Sequence, residues 1–353
     1  MSEKRNIRIK DIAELAGVSV GTVDRVLHNR GKVSDDARKK VEEVLGQTGY
    51  KPNIIARTLG SNKSLKIAVL IPDPAQDEYW KLSAEGIEQS KTEWAHYGVE
   101  ISAHFFDLYK STSYEARAQE ALVNTPDALL TAPIFYKQSL QFLNQLDKDN
   151  TPYLLFNTEI PESRAVSFIG QDLYQSGKVA GELLAFGPHD KNTVLVLHIN
   201  EDVSNATHLL EKEKGVKDFF ANSQVTVKSI AVTDTREAAA QQQIKEAIEQ
   251  PDLKGIFISS SKGTHLIADL LENYQKTEVP LIGYDTLKKN VAHLKKGVVN
   301  FLINQNPQRM TQVGISQLIN HVMFHKSVPA KELFPLEIIT QQNVDSYLKS
   351  TIG

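Results

Sequence analysis

The stretch Ile9-Lys10-Asp11-Ile12-Ala13-Glu14-Leu15-Ala16-Gly17-Val18-Ser19-Val20-Gly21-Thr22-Val23-Asp24-Arg25-Val26-Leu27 decides how this chain is read. Ile9, Ile12, Ala13 and Ala16 recur at i, i+3, i+4 and i+7, one apolar stripe on a short helix. Gly17 stops that helix, and Ser19 stands where the N-cap of the next belongs. Val23, Val26 and Leu27 give the second helix its buried face. A helix, a glycine-containing turn and a second helix have the spacing of a helix-turn-helix.

Working outward, Ser34 caps a third helix. Asp35 and Asp36 lie in its first turn, where the helix dipole favours anions, and Ala37, Val41, Val44 and Leu45 form its apolar face. Tyr50-Lys51-Pro52-Asn53-Ile54-Ile55-Ala56-Arg57-Thr58-Leu59-Gly60 places Pro at a helix start and Gly at its end. Two turns of helix are marginal in water alone. Ser61 to Ser64 reads as linker. The division is therefore a head over 1–50, a hinge helix and linker over 51–64, and a body over 65–353.

The 353 residues include no cysteine, which excludes disulfides, thiolate metal sites and a Cys nucleophile. Residues 1–62 carry 12 Lys and Arg against 8 Asp and Glu, and the remainder 28 against 35. A basic head on an acidic body suits a polyanion-binding module joined to a part that avoids polyanions. The polar start and the absence of any long apolar run predict a cytoplasmic protein that does not enter a membrane.

Beyond residue 66, strand-length apolar runs alternate with amphipathic helical stretches. The runs are Ile67–Ile71, Ile101–Phe106, Ala128–Thr131, Tyr153–Phe156, Val194–Ile199, Gly255–Ile258 and Leu281–Gly283. The helical stretches include 80–97, 114–124, 174–186, 207–221, 236–249 and 264–275. Such strands read as parallel sheets covered on both faces, and their number predicts two α/β subdomains.

Residues 9–27 together with 50–59 closely resemble the head and hinge helix of the lactose-repressor (LacI/GalR) family. The resemblance implies a homodimer on a pseudo-palindromic operator in double-stranded DNA, with the second helix of each head in the major groove. Val20, Gly21 and Arg25 then read bases, and Thr22, Asn29 and Ser34 contact phosphate. Asn53, Arg57 and Leu59 belong to the hinge contact, with Leu59 as a minor-groove wedge. Arg25 fits its role on chemistry alone, since Arg reads guanine bidentately. Gly21 presents no side chain where the family often reads a base. Asp24 replaces the usual Ser, and a carboxylate there accepts from cytosine N4 or orients Arg25.

The body resembles type I periplasmic sugar-binding proteins, nearest the ribose-binding group. This implies two lobes, each a doubly wound parallel sheet, with crossovers near 170–173, 304–306 and 335–337. Asp77-Glu78-Tyr79-Trp80, Ile282-Gly283-Tyr284-Asp285 and Gln305-Asn306-Pro307 carry the likeness. Ligands of such sheets sit outside the carboxyl ends of the strands. The implied effector residues are Asp77, Tyr79, Trp80, Asn157, Thr158, Lys212, Asp234, Ser260, Asp285 and Gln305. Aromatic faces suit sugar C–H surfaces, and planar polar groups bond paired hydroxyls. Asn157-Thr158 replaces the ribose group's Asp-Arg, and Lys212 its Arg; these are not interchangeable at a bidentate site, so the expected effector is a sugar other than ribose.

GxSxG, HExxH, P-loop and GxGxxG patterns are absent. His293, His321 and His325 fall on helical stretches without a third ligand, so neither a metal nor a cofactor is expected, nor a catalytic residue. A regulator accounts for head, hinge and body together. A solute-binding protein accounts for the body alone, and a sugar-active enzyme needs a motif the chain lacks.

Overall fold

The computed structural model describes residues 9–27, 31–48, 64–200 and 203–351, in two compact units divided at Lys63 and Ser64. The first unit holds α1 (Ile9–Ala16), α2 (Val20–Leu27) and α3 (Asp35–Thr48). Gly17 closes α1 at φ +63°, with Val18 N–H donating to Ala13 C=O at 3.0 Å, a left-handed C-terminal cap. Ser19 caps α2 through the Thr22 N–H at 3.1 Å. The core is small: Ile12, Ala13, Ala16, Val23, Val26 and Val41 are buried, with Val44 and Leu45 packed against them.

The second unit has two lobes. The first contains β1 (Leu65–Pro72), α4 (Glu78–Ala95), β2 (Val99–Phe106), α5 (Ser111–Leu122), β3 (Ala128–Thr131), α6 (Tyr136–Lys148), β4 (Tyr153–Phe156) and β5 (Ser167–Gly170). The chain then passes through α7 (Leu173–Ala185) into the second lobe. This lobe comprises β6 (Thr193–Ile199), α8 (Thr207–Phe220), β7 (Thr226–Val232), α9 (Ala238–Ile248), β8 (Leu253–Ile258), α10 (Thr264–Asn273), β9 (Leu281–Tyr284), α11 (Lys288–Lys296) and β10 (Phe301–Asn304). Next, α12 (Pro307–Val322) returns to the first lobe and β11 (Lys331–Leu333) joins its sheet. Finally β12 (Glu337–Ile339) and α13 (Val344–Thr351) belong with the second lobe.

The sheets have matching orders, β11-β5-β4-β3-β1-β2 and β12-β10-β9-β8-β6-β7. Every pairing is parallel except β12 on β10, an antiparallel edge. The central strands β1, β3, β4, β6, β8 and β9 are buried almost throughout, because helices cover both faces. Edge strand β7 is largely exposed and alternates weakly, so it has no apolar run for sequence reading to find. The first lobe's core is rich in aromatic rings, among them Phe106, Tyr114, Phe142 and Phe156. That of the second is mostly aliphatic beneath α9, α10 and α11.

Three links join the lobes, at 171–172, 305–306 and 334–336. One side chain ties them: Gln171 Nε2 donates to Asn304 C=O and to Pro335 C=O, both at 2.8 Å. Helix crossings hold each lobe's first helix. A Cβ on Gly86 of α4 would stand 2.5 Å from the Gln308 carbonyl of α12, and one on Gly215 of α8 would stand 2.1 Å from the Tyr174 carbonyl of α7. Only glycine permits these approaches.

Candidate functional site

The carboxyl ends of both sheets face each other across a cleft of about 450 Å³, part of it open to solvent. The first lobe supplies Asp77, Tyr79, Trp80, Leu108, Ile134 and Asn157. The second supplies His208, Leu209, Lys212 and Ser259-Ser260-Ser261, and Gln305 arrives on the middle link. The lobes touch at the rims. Asn205 Oδ1 accepts from Lys137 N–H at 3.2 Å, Glu78 Oε1 accepts from Lys288 N–H at 3.3 Å, and the Lys262 ammonium lies 4.8 Å from the Tyr109 ring centre.

Each side chain has a local cause. Asp77 caps α4 by accepting from Tyr79 N–H at 2.8 Å, and burial raises its carboxyl above the usual range. That cap fixes the first turn and turns Tyr79 and Trp80 into the cleft. Their rings meet edge to face, 4.9 Å apart at 80°, and Trp80 leans on Phe156 at 6.0 Å. Asn157 follows β4 at φ +68° and donates from Nδ2 to the Tyr79 hydroxyl.

Across the cleft, Lys212 is 3% exposed. Its ammonium donates to Ser259 C=O at 2.9 Å and lies 3.6 Å from the Tyr284 ring centre. Behind it, His198 links Ser259 Oγ at 2.8 Å to Glu213 Oε2 at 2.6 Å. Burial works against the Glu213 charge, but hydrogen bonds from Lys217, Ser229 and His198 hold its carboxyl at about 2. Burial lowers His208 to about 3, so its imidazole is neutral. His208 Nδ1 and Ser260 Oγ are buried without a hydrogen-bond partner among the described residues. A wall with orphaned polar atoms beside aromatic faces is a surface prepared for a polar ligand.

Asp77, Tyr79, Trp80, Asn157, Lys212, Ser260 and Gln305 are brought together as the sequence reading grouped them. Three residues are placed otherwise. Asp234 does not line the cleft and is paired with Arg236, whose Nε donates to it at 2.8 Å. Thr158 lines an adjoining cavity and donates to Asn157 Oδ1 at 3.2 Å. Asp285 is 1% exposed and lies behind Gln305, accepting from Gln305 N–H and Nε2 at 2.9 Å each. Both carboxylate oxygens hold Gln305, which stands between Asp285 and the cleft. Sequence reading missed Leu108, Ile134, His208, Leu209, Ser259 and Ser261. Position alone could have found Leu108, Ile134, Ser259 and Ser261, which lie just beyond the carboxyl ends of strands; His208 and Leu209 lie in the first turn of α8.

In the head, Val20, Gly21 and Arg25 are exposed along α2, with Thr22 and Asp24 partly covered. Thr22 Oγ1 lies 2.9 Å from Ser19 Oγ, and exposed Ser34 caps α3 through the Ala37 N–H at 3.4 Å. Asn29, Asn53, Arg57 and Leu59 lie outside the described residues. Among the described residues, Asp269, Glu272 and His293 converge, but Asp269 meets His293 Nε2 at 3.1 Å and Glu272 meets Nδ1 at 3.5 Å. Lys296 also takes Glu272 at 3.0 Å, so the three groups are engaged in ion pairs with one another and with Lys296.

A two-lobed α/β body with a cleft at its strand ends, joined to a helix-turn-helix unit, defines the class. The periplasmic binding protein domain family matches residues 67–326, and the lacI family of bacterial regulatory proteins matches residues 8–53. The chain belongs to the periplasmic binding protein domain family and carries a lacI-family head. The sucrose operon repressor of Streptococcus mutans is 23% identical over 343 residues, 96% of this chain and 99% of that one. The transcriptional regulator RegA of Clostridium saccharobutylicum is 31% identical over 39% of this chain, and the match spans only 41% of RegA. A Bacteroides fragilis chain assigned to the LacI transcriptional regulators superposes with TM-score 0.73 at 25% identity, over 81% of this chain and all of that one.

Proposed function

We propose that this protein is a transcriptional regulator that binds a pseudo-palindromic operator as a homodimer in the cytoplasm, under the control of a sugar or sugar derivative. One observation carries the reading: a cleft whose walls pair edge-to-face aromatics with orphaned polar atoms shares a chain with a helix-turn-helix exposing Val20, Gly21 and Arg25. The relatives' names, those of operon repressors and transcriptional regulators, support it.

In this reading α2 enters the major groove, where Arg25 reads a guanine, while Thr22 and Ser34 approach phosphates. Asn53, Arg57 and Leu59 act from a hinge helix in the minor groove. A sugar stacks on Tyr79 and Trp80 and bonds Asn157, Ser260, His208 and Gln305, with Asp285 fixing the Gln305 amide. The ligand favours one lobe arrangement over another, and that difference shifts operator affinity.

The test is selection of duplexes from random sequence, then binding at several salt concentrations with and without sugars that raise the thermal midpoint. The expected result is a two-fold symmetric site, steep salt dependence, and operator affinity that changes with a stabilising sugar. Sites lacking two-fold symmetry, or indifference to every stabilising sugar, would overturn the proposal.

A further inference from the structure

The middle link reaches the cleft as Gln305, and the residue before it, Asn304, is buried. Asn304 is held from several sides. Its C=O accepts from Gln171 Nε2 at 2.8 Å. Its Oδ1 accepts from the Thr286 N–H and from the Thr286 hydroxyl, each at 3.1 Å. Its Nδ2 donates to the hydroxyl of Tyr347, on α13, at 2.8 Å. Tyr347 in turn donates to Glu337 Oε2, and Glu337 stands opposite Asn304 in the pairing of β12 on β10. Burial and that carboxylate push the phenol up, so its hydroxyl stays protonated and donates.

These partners fix the direction of the Asn304 amide. Its NH2 edge faces the Tyr347 and Glu337 oxygens, and its oxygen faces two Thr286 donors. A reversed amide would set oxygen against carboxylate. Thr286 follows Asp285, whose carboxylate takes both the N–H and the Nε2 of Gln305. Two successive link residues are thus riveted to two successive residues beyond β9: Asn304 to Thr286, and Gln305 to Asp285. The outer end of this chain of bonds is α13, none of whose described residues lines the cleft.

We propose that Tyr347 is a positioning residue for the effector cleft: from α13, through Asn304, it fixes the middle link and so the Gln305 amide presented to a ligand. Without the hydroxyl, Asn304 Nδ2 keeps its contact to Glu337 at 3.4 Å, too long for a strong bond. The link then samples other directions, and a ligand must meet an ordering cost that Tyr347 now spares it. The effect on ligand affinity rests on the cleft's being the effector site; the effect on the link does not.

The test uses two full-length variants. Tyr347→Phe keeps the ring and removes the hydroxyl. Val344→Ala, at a buried position of the same helix, removes packing and keeps the hydroxyl. Native-state hydrogen exchange reads the Gln305 and Thr286 amides, which are bonded to Asp285 and Asn304. Tyr347→Phe should speed these two at least about tenfold relative to the amides of β8. Val344→Ala should lower the thermal midpoint without singling them out. Calorimetry with D-galactose, D-arabinose and sucrose then compares affinities. A sugar that binds the wild type should bind Tyr347→Phe about fivefold or more weakly and Val344→Ala unchanged. The proposal falls if Tyr347→Phe leaves both amides as protected as in the wild type, if Val344→Ala exposes them equally, or if faster exchange comes with unchanged affinity. Should none of the three sugars bind, the sugar reading has failed this test and the exchange comparison alone decides the proposal.

Discussion

Helices α4 and α8 each follow the first strand of a lobe, and each carries a cleft residue six positions before a helix-crossing glycine: Trp80 before Gly86, Leu209 before Gly215. In that register Tyr79 matches His208, Ser83 matches Lys212, and the N-cap Asp77 matches Ala206. The ends of β4 and β9 correspond too, with Asn157 at φ +68° and Asp285 at φ +61°. The frame is repeated, but the chemistry has diverged. The first lobe offers flat rings, held by a cap and an amide. The other offers a neutral imidazole, a buried ammonium, hydroxyls and a buried acid. In the proposed reading, one side of the cleft meets an apolar face of the sugar and the opposite side its hydroxyls.

The largest effect should come from breaking the shared frame. Gly215→Ala sets a methyl 2.1 Å from the Tyr174 carbonyl, and backbone cannot yield as a side-chain end can. A loss of about 3 kcal/mol is expected in denaturant unfolding, with Gly86→Ala close behind at its 2.5 Å contact. A loss under about 1 kcal/mol for both would show that the crossings are not what fixes the helices.

Making the first lobe resemble the second is the next test. Trp80→Leu copies Leu209 and removes the stacking face. Affinity for a sugar that stabilises the wild type should fall about 30-fold, roughly 2 kcal/mol. An unchanged Kd in calorimetry would make Trp80 core alone.

The reverse exchange, Asp285→Asn, copies Asn157. Burial pushes Asp285 up from 3.8 to about 7, against the hydrogen bonds from Gln305. A folded-state value above the unfolded one means that the acid's contribution is whole below about 4 and is lost as pH rises through about 7. Wild-type thermal midpoints should therefore decline over that interval from this group, and the variant's should decline less. Parallel curves for both proteins would remove Asp285 as the cause.

The smallest effect concerns the caps. Ala206 gives α8 no side-chain cap, whereas Asp77 caps α4. Ala206→Ser should raise stability by about 0.5–1 kcal/mol. A decrease on thermal melting would mean that the uncapped end is already satisfied.

Much of this was legible from periodicity. Continuous apolar runs marked the central strands, since burial on both faces leaves no polar positions in them, and Gly17 and Ser19 punctuated the head. Strand β7 was invisible because its edge position exposes most of its residues. The cleft was legible where a side chain has distinctive chemistry, as with Trp80, Lys212 and Gln305. Leu209 and Ile134 read as ordinary core, and Asp234 looked available until Arg236 was seen to claim it. Asp285 was found, but its two bonds to Gln305 were not. Which hydrogen bonds a carboxylate spends on its neighbours is a fact of three dimensions.

Three separate links between two bodies would ordinarily permit twist, shear and splay. Here one carboxamide fastens two of them to itself, so the lobes share something close to a single axle at Gln171. Travel about an axle grows with distance from it. A few degrees that barely disturb the buried stitch would move contacts between the lobes, such as Lys262 on Tyr109, further than the stitch itself. Whatever rests between the lobes is thus read with leverage, and the precision of the reading lies in how little play that one amide allows.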